Sequence, residues 1–146
     1  GVKLHRLGNK IDRLERLNIS APAQEKSDQL VGEVLYIDRF GNLITNITSS
    51  HLLQYSFNLT PSAPILSQHG RTKNGLTTTV AIETIIGKEK IVGLCAAYMD
   101  VGKGRPLAII GSTGYLEISI NQGNAQKYFK AKRESKVTVR IIALTI

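Results

Sequence analysis

The chain has 146 residues, 42% of them hydrophobic, and a formal net charge of +8. That length accommodates one domain with a genuine core and excludes two substantial ones. Its apolar runs stay short of the ~20 residues that span a bilayer, and its lone cysteine, Cys95, excludes an internal disulfide or a metal site built on thiolates.

No signal-peptide pattern opens the chain, and Cys95 lies in an apolar run, IVGLCAAY, where a buried, inert thiol in a reducing cytoplasm is expected. The first residue is Gly1 and the only methionine is Met99. The expectation is therefore that the chain does not begin where translation began. Few aromatics, no tryptophan and many short β-branched runs favour a mainly β fold, a small β-barrel or sandwich with one or two short helices.

In chain order, residues 1–28 are expected to form an interdomain linker or strap lying on a surface, and residues 29–146 the barrel domain. Leu4, Leu7, Ile11, Leu14 and Leu17 fall at helical spacing, but Gly8 and Asn9 interrupt them. Next, the runs at 34–37 and 43–47 flank Asp38, Arg39, Phe40, Gly41 and Asn42, which predicts strand, turn, strand. Gly41 beside Asn42 allows a tight reversal that leaves the Asp38 carboxylate near the Asn42 amide. Most such turns only close a hairpin. Phe40, apolar in a polar turn, and Asn46, polar in an apolar strand, both call for a compensating contact.

Ser49 or Ser50 predicts a helix cap before about one helical turn at HLLQY. Residues 57–66 contain Pro61 and Pro64 and form at most an edge strand, and 69–74 a polar turn. Strands are predicted over 76–86, 91–97, 106–110 and 136–146, with a glycine-containing loop at 98–105. Residues 115–120 alternate strictly, Leu116, Ile118 and Ile120 facing the core and Tyr115, Glu117 and Ser119 facing something polar. Residues 121–129 predict a loop entering a brief helix.

Catalytic signatures are mostly absent, and spacing neither favours nor excludes a Ser, His and Asp triad. His5, His51 and His69 have no ligand spacing, so no metal is expected, and there is no GxSxG elbow or Walker loop. The glycine-rich GKGRP precedes a strand instead of opening a helix, against phosphate cradling. The basic KYFKAKR stretch suits a nucleic-acid patch or, better, a solvated helix end with its apolar stripe inward. What remains is a set of polar turns able to emerge at one barrel rim. They offer aromatic faces (Phe40, Tyr98), amides (Asn42, Asn121, Gln122), a hydroxyl (Ser112) and carboxylates (Asp38, Glu117). Stacking with amide hydrogen bonds suits a purine, and a carboxylate beside a serine suits an amino-acid zwitterion.

The segments VGEVLYIDRFGNLITNI, YMDVGKGRPLAIIGSTGYLEISINQGNAQKYF and the closing VTVRI resemble the C-terminal domain of the S-adenosylmethionine hydroxide adenosyltransferase family, relatives of the fluorinase and chlorinase enzymes. The likeness runs from about Leu30 to the end, and the segment before it resembles the family's interdomain connection. The resemblance implies a Rossmann-like N-terminal catalytic domain, absent from this chain, and homotrimers holding S-adenosylmethionine between the N-terminal domain of one subunit and the C-terminal barrel of the next. It implies that Tyr98 stacks on adenine, that Asn42 and the backbone around Gln122 read its polar edge, and that Phe40 lines the same pocket. Asp38 is similar to the carboxylate near the methionine ammonium, and Ser112 to the hydroxyl near its carboxylate. Glu117 follows the hydrolase-like pattern. Thr113 replaces an arginine of fluorinase and Ile44 a tryptophan, which favours the hydroxide enzymes.

The implied reaction splits S-adenosylmethionine with water into adenosine and L-methionine, with no cofactor, though sequence alone leaves water and halide both open as nucleophile. The water-activating residues are implied to lie in the N-terminal domain, so the isolated chain is expected to be inactive. A non-catalytic basic β-barrel binding RNA or DNA is the alternative.

Overall fold

The computed structural model describes residues 1–15, 19–26, 28–59 and 78–145. Among these residues the short β-branched runs become eight strands: β1 (Ala23–Lys26), β2 (Gln29–Ile37), β3 (Leu43–Thr48), β4 (Thr78–Ile86), β5 (Glu89–Val92), β6 (Pro106–Ile110), β7 (Tyr115–Ile120) and β8 (Lys136–Thr145). Two α-helices accompany them, α1 (Ser49–Leu59) and α2 (Ala125–Phe129). The predicted turn at 69–74, the edge strand beyond residue 59 and the start of the strand predicted from 76 lie outside the described residues.

The strands form one antiparallel sheet in the order β5-β4-β8-β2-β3-β7-β6, with β1 pairing β2. Its two ends meet. Just beyond β5, the Cys95 N–H donates to the Ala108 carbonyl at 2.8 Å, and Cys95 bridges Ile109 of β6 in parallel. The sheet is thus a nearly closed barrel, the form in which a small sheet hides its edges. Alternation puts Val34, Leu43, Ile82, Leu116, Ile118 and Val139 inside, each almost fully buried. The strand predicted over 91–97 ends at Val92 because Gly93, at φ 88°, turns the chain and its N–H returns to the Ile82 carbonyl. Cys95 is half-buried, not enclosed, and burial, then the Asp100 charge, pushes its thiol pKa up.

Asn46 acquires a structural explanation. It is 4% exposed, its Oδ1 accepts from the Glu33 N–H at 2.8 Å, and its Nδ2 donates to the Ser20 carbonyl at 2.8 Å. The contact its position calls for is therefore internal, and the amide ties the N-terminal strap to the barrel. A second tie is the ion pair of Lys136 with Glu25 of β1.

Helix α1 runs well beyond the single predicted turn, because Leu52, Tyr55 and Ser56 give it a buried face at helical spacing. It takes in residues 57–59, the start of the segment expected to be at most an edge strand. Its cap is Thr48 and not a serine: Thr48 Oγ1 accepts from the His51 N–H, and His51 Nδ1 accepts from the Thr48 N–H, both at 3.1 Å.

Candidate functional site

The turn between β2 and β3 is built by Asp38. Its Oδ1 accepts from the Phe40 and Asn42 N–H groups at 2.8 and 2.9 Å, and its Oδ2 from the Asn42 side-chain amide at 2.9 Å. The Gly41 N–H returns to the Asp38 carbonyl, with Gly41 at φ 88°. This closed network holds Phe40 outward, 60% exposed with the Arg39 guanidinium over its ring, and fixes the orientation of the Asn42 amide. Helix α2 clamps the turn from outside. The Gln126 N–H donates to the Gly41 carbonyl at 2.9 Å, and a Cβ on Gly41 would collide with the Asn124 amide.

Tyr98 comes from the loop after the barrel seam. Asp100 Oδ2 accepts from the Ala96 and Ala97 N–H groups at 2.8 and 2.9 Å, which winds Tyr98–Asp100 into a single 3-10 turn. The residue is 44% exposed, while its hydroxyl turns inward and donates to Glu117 Oε1 at 2.7 Å. Burial, then the hydrogen bond to Glu117 and the charges of Glu117 and Asp38, pushes the Tyr98 pKa up to about 12.

The third wall is the turn after β7. Gln122 stands in the left-handed region at φ 53°, which for a residue with a side chain costs about 1–2 kcal/mol. Hydrogen bonds between Asn121 and the 101–105 loop hold it there: the Asn121 N–H donates to the Arg105 carbonyl, its carbonyl accepts from the Gly104 N–H, and its side chain donates to the Val101 carbonyl at 2.6 Å.

These three walls enclose an open cavity of about 460 Å³ lined by Asp38, Phe40, Asn42, Tyr98 and Gln122, floored by Ile120 and Gly123. Five of the eight residues singled out in the sequence therefore share one cavity. Asn121 sits behind it as a brace. Glu117, 8% exposed, lies beneath Tyr98 and not on the lining; Ser119, fully buried, donates to the same Oε1 at 2.8 Å. At Glu117 and Ser119 the face of β7 expected to meet something polar is in fact covered, and the two side chains meet each other. Ser112 lies exposed in the 111–114 turn, and its neighbour Gly111 faces Glu117 so closely that a Cβ there would come within 3.1 Å of Oε2. Sequence patterns do not single out Ile120, Gly123 or Asp100 for the site; Asn124 alone carries a signal, as a helix-capping residue type just before α2, and it accepts from the Lys127 N–H.

Chemically the cavity offers two aromatic faces, two amides and a carboxylate. Its volume lies within the range of small-molecule pockets, and no basic side chain among the described residues lines it. Among the described residues no group of three or more His, Cys, Asp or Glu side chains is placed to hold a metal ion, and no helix is long and apolar enough to cross a membrane.

Residues 32–138 match the family model for the SAM hydroxide adenosyltransferase C-terminal domain. Among solved structures, an uncharacterized conserved protein from Thermotoga maritima is 25% identical with a TM-score of 0.61, the match covering 96% of this chain and 46% of that one. A conserved hypothetical protein from Thermus thermophilus is also 25% identical, with a TM-score of 0.51, over 97% of this chain and 46% of that one. The chain thus spans less than half the length of either structure.

Proposed function

Because this chain belongs to the SAM hydroxide adenosyltransferase family through its C-terminal domain, we propose that it supplies the nucleoside-holding half of a site that splits S-adenosylmethionine with water into adenosine and L-methionine. The observation that carries this reading is the meeting of Phe40, Tyr98, Asn42 and Gln122 around one cavity. The Tyr98 ring stacks on the adenine face, and the Asn42 amide and the backbone at Gln122 pair with its polar edge. Asp38, at the same rim, attracts the substrate's positive charge. Ser112, beyond Glu117, meets the methionine carboxylate.

In the reaction the C5′–S bond breaks as a C5′–O bond forms. The sulfonium sulfur keeps the bonding pair and leaves as the neutral thioether of methionine, and the attacking water loses a proton to a base. This half of the site binds and orients the substrate and excludes water from one side. The base and the groups that orient the nucleophile belong to a companion domain, of the sort that the greater length of the matched structures accommodates, on a neighbouring subunit of a homotrimer.

The test is a titration of the isotope-labelled chain with adenosine, followed by NMR. Resonances of Phe40, Asn42, Tyr98 and Gln122 should shift together, with weak affinity that barely changes with salt, since adenosine carries no net charge. Shifts confined to other parts of the barrel would overturn the reading. Steeply salt-dependent binding of an RNA or DNA oligonucleotide at this same rim would replace it with a nucleic-acid module. Release of methionine from S-adenosylmethionine by the chain alone would overturn the division of labour between two domains.

A further inference from the structure

We infer that Glu117 is a positioning residue that acts on the ligand only through Tyr98: its buried carboxylate fixes the tyrosine hydroxyl and thereby sets the ring against the cavity. The inference rests on the proposed nucleoside site and assigns that site a residue that need not touch the ligand. Glu117 is 8% exposed, and one oxygen, Oε1, receives both the Tyr98 hydroxyl at 2.7 Å and the Ser119 hydroxyl at 2.8 Å. Ser119 is fully buried in β7, so the carboxylate is anchored to the barrel wall and not to the loop that carries the ring. The other oxygen faces Gly111, where any side chain would crowd it.

Geometry explains why the ring needs this anchor. Tyr98 lies on a loop, is 44% exposed, and belongs to a single 3-10 turn held at its base by Asp100. Asp100 fixes the backbone, whereas the ring could still rotate about its side-chain torsions. A charge-assisted hydrogen bond at the far end of the ring removes that freedom before the ligand arrives, so less ordering remains to be done on binding.

Five chains decide it: wild type, Glu117→Ala, Glu117→Gln, Tyr98→Phe and the Tyr98→Phe/Glu117→Ala double variant, each labelled with ¹³C at the tyrosine Cζ and titrated with adenosine. Glutamine keeps an acceptor for the Tyr98 hydroxyl and discards the charge. Glu117→Ala should weaken adenosine about tenfold, Glu117→Gln should recover most of that loss, and the double variant should bind no worse than Tyr98→Phe alone. Equal losses in Glu117→Ala and Glu117→Gln, or losses that add in the double variant, would overturn the inference, because Glu117 would then meet the ligand with its own charge. If adenosine binds none of the chains, the nucleoside reading falls and the ligand-free spectra still decide the positioning. In Glu117→Ala the Tyr98 Cζ signal should move and its titration drop below the wild-type value of about 12; an unmoved signal overturns the anchor.

Discussion

Asn46 Oδ1 lies so close above Gly32 that a Cβ at that glycine would approach it to 2.3 Å, and the Ile47 Cγ1 to 2.6 Å. The absence of a side chain at 32 is what lets the amide cross from β3 to the Glu33 N–H and the Ser20 carbonyl.

Gly32→Ala should therefore destabilise the chain by about 1–3 kcal/mol through overpacking, read as a lower denaturation midpoint with an unchanged slope. Protease sensitivity near Ser20 should rise in the same variant, because the strap loses the one tie to the barrel that precedes β1 among the described residues. An unchanged midpoint would show that the amide can move aside at no cost.

At the turn that forms the first pocket wall, Asp38→Ala removes the acceptor for three donors at once. Adenosine affinity should fall about ten- to a hundredfold, which corresponds to about 1.4–2.8 kcal/mol. Asp38→Asn should lose less: it can still accept from the Phe40 and Asn42 N–H groups, but its own amide N–H₂ then opposes that of Asn42. Calorimetric titration of the three chains would check this order, and equal affinities throughout would count against Asp38 as the organiser of the turn.

Thr48→Ala removes half of the reciprocal cap with His51 and should cost about 1 kcal/mol of stability. Equilibrium denaturation reads this directly. Ser49→Ala is the contrasting control and should cost less, since the cap belongs to Thr48.

Two phenols give the chain a defined response to alkali. Tyr55 is pushed up to about 12 by burial and then the Asp28 charge, partly opposed by Arg140, and Tyr98 is pushed up to about 12 by burial and its carboxylate partner. Both folded values lie above the unfolded value of 10.0. In that window the folded chain holds more protons than the unfolded chain, so stability is fully present below about pH 10 and falls as pH rises toward about 12. Ultraviolet titration of phenolate formation in wild type, Tyr55→Phe and Tyr98→Phe should show one late-titrating phenol missing from each variant.

The barrel is legible in the sequence where the physics is local. Strict alternation in β7, proline at the start of β6 and the Asp-Gly-Asn chemistry of the first turn each follow from short-range rules, and the elements lie where those rules put them. Asn46 is legible only in part: a polar residue in an apolar strand signals that a partner is needed, not which backbone groups will reach it. Glu117 is ambiguous for a similar reason. Alternation puts it on the outer face, and only the path of a loop nineteen residues earlier in sequence covers that face. The extent of α1 escapes the pattern because its buried face is made in part by Tyr55 and Ser56, residues whose burial depends on tertiary packing.

The barrel seam sits three positions before the tyrosine that walls the pocket, since Cys95 makes the closing hydrogen bond and Tyr98 follows on the same loop. A short latch joins strands that elsewhere share full ladders, so the seam is where the ring of strands breathes most readily. Tyr98 itself is tied across to β7 by its hydroxyl bond to Glu117. The Cys95 amide, at this latch, should take up deuterium sooner than the amides of the β4–β8 ladder, which an exchange measurement on the free chain checks.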